Sequence, residues 1–230
     1  MTLEELKRWI DEGKIDTVIV AAPDVSGKLL GKRFTGRTFI ETVAEHGTHG
    51  CNYLLTVDIE MEPQTGFRLA NWEKGFGDFE FRPDLSTLRV LPWQPATALV
   101  ICHFHHHDGQ RVAEAPRSVL QVQFEQLAQR GLLCNIASEL EFFLFNTTYH
   151  DAFASGHRDL PPSSDYRIDY HIMQPTQDEP LFRQVRTRCS RQEFPSSRAK
   201  ANGAGDSMRS ISFTTSRSKW RTCTSCSNKA

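Results

Sequence analysis

Five runs of strand length fall within the first 145 residues, and only three helical patterns interrupt them. "DTVIVAAPDVSGKLLGKRF" reads as two strands around a turn at Asp24–Gly27. "FEFRPDLSTLRVLPW", "ATALVICHF" and "LLCNIASELEFFLF" supply the other three. The first helix is announced by Thr2 and Glu5, a capping box, with Leu6, Trp9 and Ile10 at helical spacing and Gly13 as its stop. "RTFIETVAEHG" reads as a short helix ending at Gly47. The third starts at Pro116, shares a face among Leu120, Phe124, Leu127 and Ala128, and closes at Gly131. Strands that outnumber helices without a regular βαβ alternation predict an α+β fold.

The pattern breaks late. Thr176 and Glu179 offer another capping box, opening a helix through Leu181, Phe182 and Val185, but periodicity dissolves after Arg186. From Thr187 onward there are nine Lys/Arg against two Asp/Glu, while the rest of the chain has 18 against 26. The net charge of -1 conceals this split and gives the whole chain no bias toward nucleic acid. A basic, Ser-rich tail could serve as a nucleic-acid arm, but only Phe194, Phe213 and Trp220 provide aromatic faces. The six scattered cysteines, with no signal peptide or long apolar run, predict a reduced cytoplasmic protein. Cys223 and Cys226 form a lone C-x-x-C without a second ligand pair. His105, His106 and His107 are consecutive, so a strand would point them to opposite faces; "HHHDGQRVAEAP" reads as a solvated polar connector. The segment "NTTYHDAFASGHRDLPPSSDYRIDYHIMQ" reads as a long irregular loop.

The chemistry-bearing candidates are Glu139 and Glu141. Period two places them on one face of their strand, with Cys134, Ile136, Leu140, Phe142 and Leu144 on the other. Two adjacent carboxylates repel unless a cation lies near them, and oxygen donors of this kind suit magnesium or manganese. An exposed edge strand with two solvated acids is the alternative. Phe143 and Phe145 continue the acidic face and hint at a lined cavity.

With "PDVSGKLLGKRF", "RPDLSTLRVLPW", "APRSVL" and "SELEFFLF" in this order, residues 1 to 186 resemble the glutamine synthetase family. That resemblance implies an N-terminal β-grasp domain over 1–110 and an incomplete catalytic domain over 111–188. It implies homo-oligomeric rings with active sites between subunits. It assigns Glu141 to the metal on the glutamate and amine side and Glu139 to the metal that polarises the ATP γ-phosphate. The implied reaction is ATP-dependent ligation of glutamate to ammonia or a larger amine through γ-glutamyl phosphate, with Mg2+ or Mn2+. Two positions depart from the family. An Asp-Gly-Ser-Ser segment that helps form the ammonium site is replaced by "GCNYLLTVDIEMEP", which favours a larger amine, and His103 stands where an acid is usual.

The family's "AGIPVE-SKGEWGPGQHEIN" segment is absent after Arg186, but its codons are compatible with the tail. Lys200 to Ile211 can be encoded so that triplets read from each last base spell "GEWG-x-GQHEIN", x being Gly, Arg or Trp. The same offset permits "GIPVE" over Gln192 to Ser197 and "MADVHVLFK" over Lys219 to Asn228. These matches predict a frameshift between about Thr187 and Arg191. Residues 189–230 are then expected to be an out-of-frame, disordered tail, because an aperiodic segment buries too little surface to offset its ordering entropy. The truncated chain is expected to be inactive, or else a non-catalytic fragment that associates with intact subunits.

Overall fold

A computed structural model of the chain describes residues 1–134, 136, 138–164, 170–191, 196–203 and 209–215. For 138–140, 174, 175, 189–191, 196–203 and 209–215 only the backbone is described. The chain divides into two compact units, Met1–Cys134 and Asn135–Trp220.

In the first unit, helix α1 (Leu3–Asp11) begins on the expected capping box. Glu5 N donates to Thr2 Oγ1 at 3.1 Å and Thr2 N to Glu5 Oε2 at 2.8 Å. Leu6 is buried beneath it and Gly13, at φ 68°, ends it. Thr2→Ala should cost about 1 kcal/mol of first-unit stability, read as a lower urea midpoint with an unchanged slope. Strands β1 (Thr17–Pro23) and β2 (Leu29–Thr35) form the expected hairpin. Asp24 Oδ1 accepts from Ser26 N and Lys28 N, and Gly27 takes φ 83°. Gly31 must lack a side chain, since a Cβ there would lie 1.9 Å from the Val20 carbonyl oxygen.

The helical turns α2 (Gly36–Thr38) and α3 (Ala44–His46) flank a π-helical turn, Phe39–Val43, and Gly47 ends the segment at φ 72°. Strands β3 (Thr48–Cys51), β4 (Asp78–Val90) and β5 (Thr97–His105) complete a five-stranded sheet of order β2-β1-β5-β4-β3. Its central pair, β1 and β5, is parallel and the other pairs are antiparallel. One face is the core. Val18, Val20, Phe79, Phe81, Val100, Cys102 and Phe104 are all buried there, with Phe81 and Phe104 edge to face at 4.6 Å.

Helix α4 (Pro116–Gln129) belongs to the first unit, although a boundary near residue 110 had been expected. Polar contacts hold it there. Arg111 bridges to Gln121 and Glu125, each at 2.9 Å, and Arg117 reaches back to β4.

In the second unit, β6 (Ser138–Phe143) is shorter than the predicted run, and Asn135 and Ala137 lie outside the described residues. The predicted long loop contains a short helix, α5 (Tyr149–Ala154), capped by the Thr148 hydroxyl, which accepts from Asp151 N at 3.1 Å. The predicted capping box at Thr176 does not form. Thr176 lies inside a 3-10 turn, Gln174–Asp178, and its hydroxyl donates to the Ile172 carbonyl. Helix α6 (Glu179–Arg191) then runs past Arg186, which pairs with Glu179 two turns earlier on the same side. Phe142 and Leu144 pack on Phe182 and Val185 of α6.

The tail differs from the expectation of disorder in two stretches. β7 (Ser196–Gly203) and β8 (Arg209–Thr215) form a three-stranded antiparallel sheet with β6, in the order β6-β8-β7. Ladder hydrogen bonds are made by the backbone and do not require an apolar period, which explains why periodicity missed them.

Candidate functional site

Alternation along β5 sorts its side chains. Ala98, Val100, Cys102 and Phe104 enter the core, and Leu99, Ile101, His103 and His105 take the opposite face. On that second face the motifs read from the sequence meet. Arg117, in the first turn of α4, donates from Nη2 to Asp84 Oδ2 at 2.6 Å. His103 Nε2 lies 3.6 Å from the same carboxylate oxygen, and Gln121 Nε2 lies 3.4 Å from that imidazole nitrogen. Asp84 comes from "PDLSTLR" and Arg117 from "APRSVL". His103, which had stood out as a departure from the family pattern, sits between them.

Asp84 also shapes its own strand. Its Oδ1 accepts from Ser86 N and Oγ, and its carbonyl accepts from Thr87 Oγ1 at 2.7 Å. The ladder to β5 slips between Asp84 and Arg89, and Thr87 Oγ1 fills the gap by accepting from Ile101 N at 2.8 Å. Burial alone would raise the Asp84 carboxyl. His103, the Ser86 hydroxyl and the Arg117 guanidinium outweigh it and hold the group down to about 2. Burial pushes the neighbouring Cys102 thiol up to about 12, so it is no nucleophile at neutral pH.

Beside this cluster, His49 on β3 pairs directly with Glu80 on β4, and Glu80 pairs with His105 on β5. His106 turns away, its N–H donating to the Gln110 carbonyl at 2.8 Å, and its ring lies 5.8 Å from Phe79. His107 returns to the face carrying Glu80. Its Nδ1 lies 3.6 Å from Glu80 Oε1, and its ring lies 5.7 Å from that of His49. The run does lead into an exposed turn, as expected, with the His107 side chain 63% exposed. Adjacent histidines do diverge, but His107 meets His49, 58 positions earlier. Only the register of two successive ladders reveals that meeting. Arg82 binds the other oxygen, Glu80 Oε2, through Nε at 2.9 Å and Nη2 at 2.7 Å. That hydrogen bond, more than the nearby charges, lowers the Glu80 carboxyl below its ordinary value.

The predicted metal ligands Glu139 and Glu141 stand in β6, in the second unit. Their backbones oppose Thr214 and Ser212 of β8. Two residues apart, the two positions share one face of the strand. The Glu141 side chain is exposed, whereas that of Glu139 lies outside the described part of the structure. Phe142 and Leu144 pack on the opposite side, as alternation requires. Phe143, on the acidic side, is 45% exposed. The segment read as replacing the ammonium site folds into a tight turn. Asp58 accepts from Glu60 N at 2.9 Å, Glu62 N at 3.0 Å and Gln64 Nε2 at 2.7 Å. Ile59 and Met61 are exposed at its tip. The pair Cys223 and Cys226 lies outside the described residues. Among the described residues, no helix is long and apolar enough to cross a membrane.

Comparison with known proteins agrees with these motifs. Residues 113–216 match the glutamine synthetase catalytic domain. A γ-glutamylethanolamide synthetase from Streptomyces coelicolor is 44% identical over 188 residues, 82% of this chain and 41% of that protein. A glutamate–isopropylamine ligase from a Pseudomonas species is 30% identical over 182 residues, covering 79% of this chain and 40% of the ligase. The chain thus spans about two fifths of the length of these curated relatives. Among solved structures, a GmaS/ADP complex aligns with 91% of this chain and 43% of its own, at a TM-score of 0.67 and 15% identity, a likeness of fold.

Proposed function

We propose, from the premise that this chain belongs to the glutamine synthetase family, that it derives from an ATP-dependent glutamate–amine ligase whose acceptor is larger than ammonia. The observation that carries this reading is the segment from Gly50 to Pro63. Its Asp58 carboxylate is committed to closing its own turn, and it offers Ile59 and Met61 at an exposed tip. An apolar tip suits the alkyl part of an amine better than an ammonium ion, which needs oxygen acceptors on every side. The two named relatives, one forming a γ-glutamylethanolamide and one using isopropylamine, support the same choice.

The five-stranded sheet with its parallel central pair is read as the β-grasp domain of the family. Glu139 and Glu141 offer a hard, all-oxygen donor pair that fits Mg2+ or Mn2+, and they would hold such an ion. When bound, the ion supplies positive charge to the phosphoryl oxygens of ATP and of the acyl phosphate. Residues 189–230 are read as the out-of-frame product of the family's next segment, so they do not supply that segment's ligands, and no phosphate release from ATP and glutamate is expected of this chain.

The acceptor is tested on the ligase read in the restored frame to that frame's own stop. Ethanolamine or isopropylamine should exceed ammonium by about tenfold or more in kcat/KM, a difference of about 1.4 kcal/mol in transition-state binding. A preference for ammonium would overturn the larger-amine reading.

A further inference from the structure

We propose that His49, Glu80 and His107 form a zinc-type metal site on the exposed face of the first unit, separate from the carboxylates of β6. Each residue presents one ligand atom, and these atoms all lie within 4.8 Å of one another. A tetrahedral zinc ion with bonds of about 2.0–2.1 Å sets its ligand atoms about 3.4 Å apart. The 3.6 Å between His107 Nδ1 and Glu80 Oε1 is already close to that edge. It is also too long for a good hydrogen bond, so the two groups face each other without closing on one another. The third contact needs only rotation of an exposed imidazole.

The backbone makes the arrangement durable. His49 and Glu80 are directly opposed on antiparallel strands, which holds their Cβ atoms about 5 Å apart. His107 is fixed by the turn after β5, where Gly109 N donates to the His106 carbonyl at 2.9 Å and His106 N to the Gln110 carbonyl at 2.8 Å. The ring separation of 5.7 Å between His49 and His107 approaches the roughly 5 Å of two imidazoles sharing one tetrahedral ion. Arg82 anchors Glu80 through Oε2 alone and leaves Oε1 toward the histidines. An outer partner of this kind orients a ligating carboxylate. Two imidazoles and one carboxylate favour Zn2+ over Mg2+, which prefers oxygen throughout. Three protein ligands leave a fourth position for water or for a donor from a bound molecule.

The test is Zn2+ binding to the full chain, by competition with a chromophoric chelator. The carriers are the wild type and a Cys223→Ser/Cys226→Ser background, because that cysteine pair is the rival zinc ligand in the sequence. One Zn2+ per chain is expected in both. His49→Ala, His107→Ala and Glu80→Gln should each weaken binding about tenfold or more. Zn2+ should raise the thermal midpoint of the cysteine-free background and lose that effect in the histidine variants. His49 and His107 lie at the surface and Glu80 is partly buried, and an unchanged metal-free midpoint will show that the variants fold. Zinc binding that survives both histidine substitutions, disappears with the cysteines, or is absent altogether overturns the proposal. None of these outcomes depends on ligase activity.

Discussion

Insertion of one base between codons 187 and 191 should give a chain carrying the segment that a glutamine synthetase would have after Arg186. Peptide mapping of the product should show "GEWG-x-GQHEIN", and phosphate release dependent on ATP, glutamate and amine should rise from background by about a thousandfold or more. The structure supplies a physical reason. In the restored frame the glutamate of "GEWG" falls at position 202 and that of "QHEIN" at position 209, with the histidine at position 208. Positions 202 and 209 lie on β7 and β8, the strands that pair in one sheet with β6, which carries Glu139 and Glu141. Hard divalent cations take about six oxygen ligands, so two carboxylates hold them weakly and additional acids on adjacent strands strengthen the site steeply. By register position 202 opposes Ser210 and so shares the strand face of Glu139 and Glu141, where the present chain has Asn202, whereas position 209 opposes Gly203 and falls on the other face. A stop codon in the offset frame before codon 228, or a gene whose offset triplets encode other residues, would sink the frameshift.

Parts of this molecule were legible from single segments, and parts required register. The capping box at Thr2 and the hairpin about Asp24 are local, so their residues announced them. The apolar side of β6 was equally readable, because period two alone assigns Phe142 and Leu144 to one face. Thr176 misled because its Ser/Thr-x-x-Glu spacing is satisfied equally by a 3-10 turn that uses the hydroxyl elsewhere. β7 and β8 escaped notice because their pairing lies in backbone groups that every residue carries. The contact between Asp84 and Arg117 spans 33 positions, and that between His49 and His107 spans 58. Nothing local in either sequence stretch encodes its partner. Both depend on which strands neighbour β4, information that resides in the sheet order.

Asp84→Asn should lower first-unit stability by about 2 kcal/mol at pH 7, and Arg117→Ala by about 3 kcal/mol. The carboxyl titrates at about 2 rather than its ordinary 3.8, a separation that corresponds to about 2 kcal/mol favouring the charged form in the folded state. Its side chain is 21% exposed and that of Arg117 15%, so solvent screens the pair only in part. Because the folded value lies below the unfolded one, the contribution is complete above the unfolded value and fades as pH falls through about 2. Urea midpoints of wild type and Asp84→Asn should therefore differ fully at pH 7 and converge toward pH 2. Arg117→Ala leaves the Asp84 charge half-buried with only His103 and Ser86 beside it and no fixed cation, so its larger penalty should also shrink on acidification. A double-mutant cycle separates the coupling from the loss of side-chain packing. Equal stability of wild type and Asp84→Asn at pH 7, or a difference indifferent to pH, would refute the assignment. The pair joins the bulge of β4 to the first turn of α4, the helix with which the match to the catalytic domain begins. Its loss should accordingly free α4 before the sheet unfolds, seen as faster amide exchange over residues 116–129 than in β1 and β5.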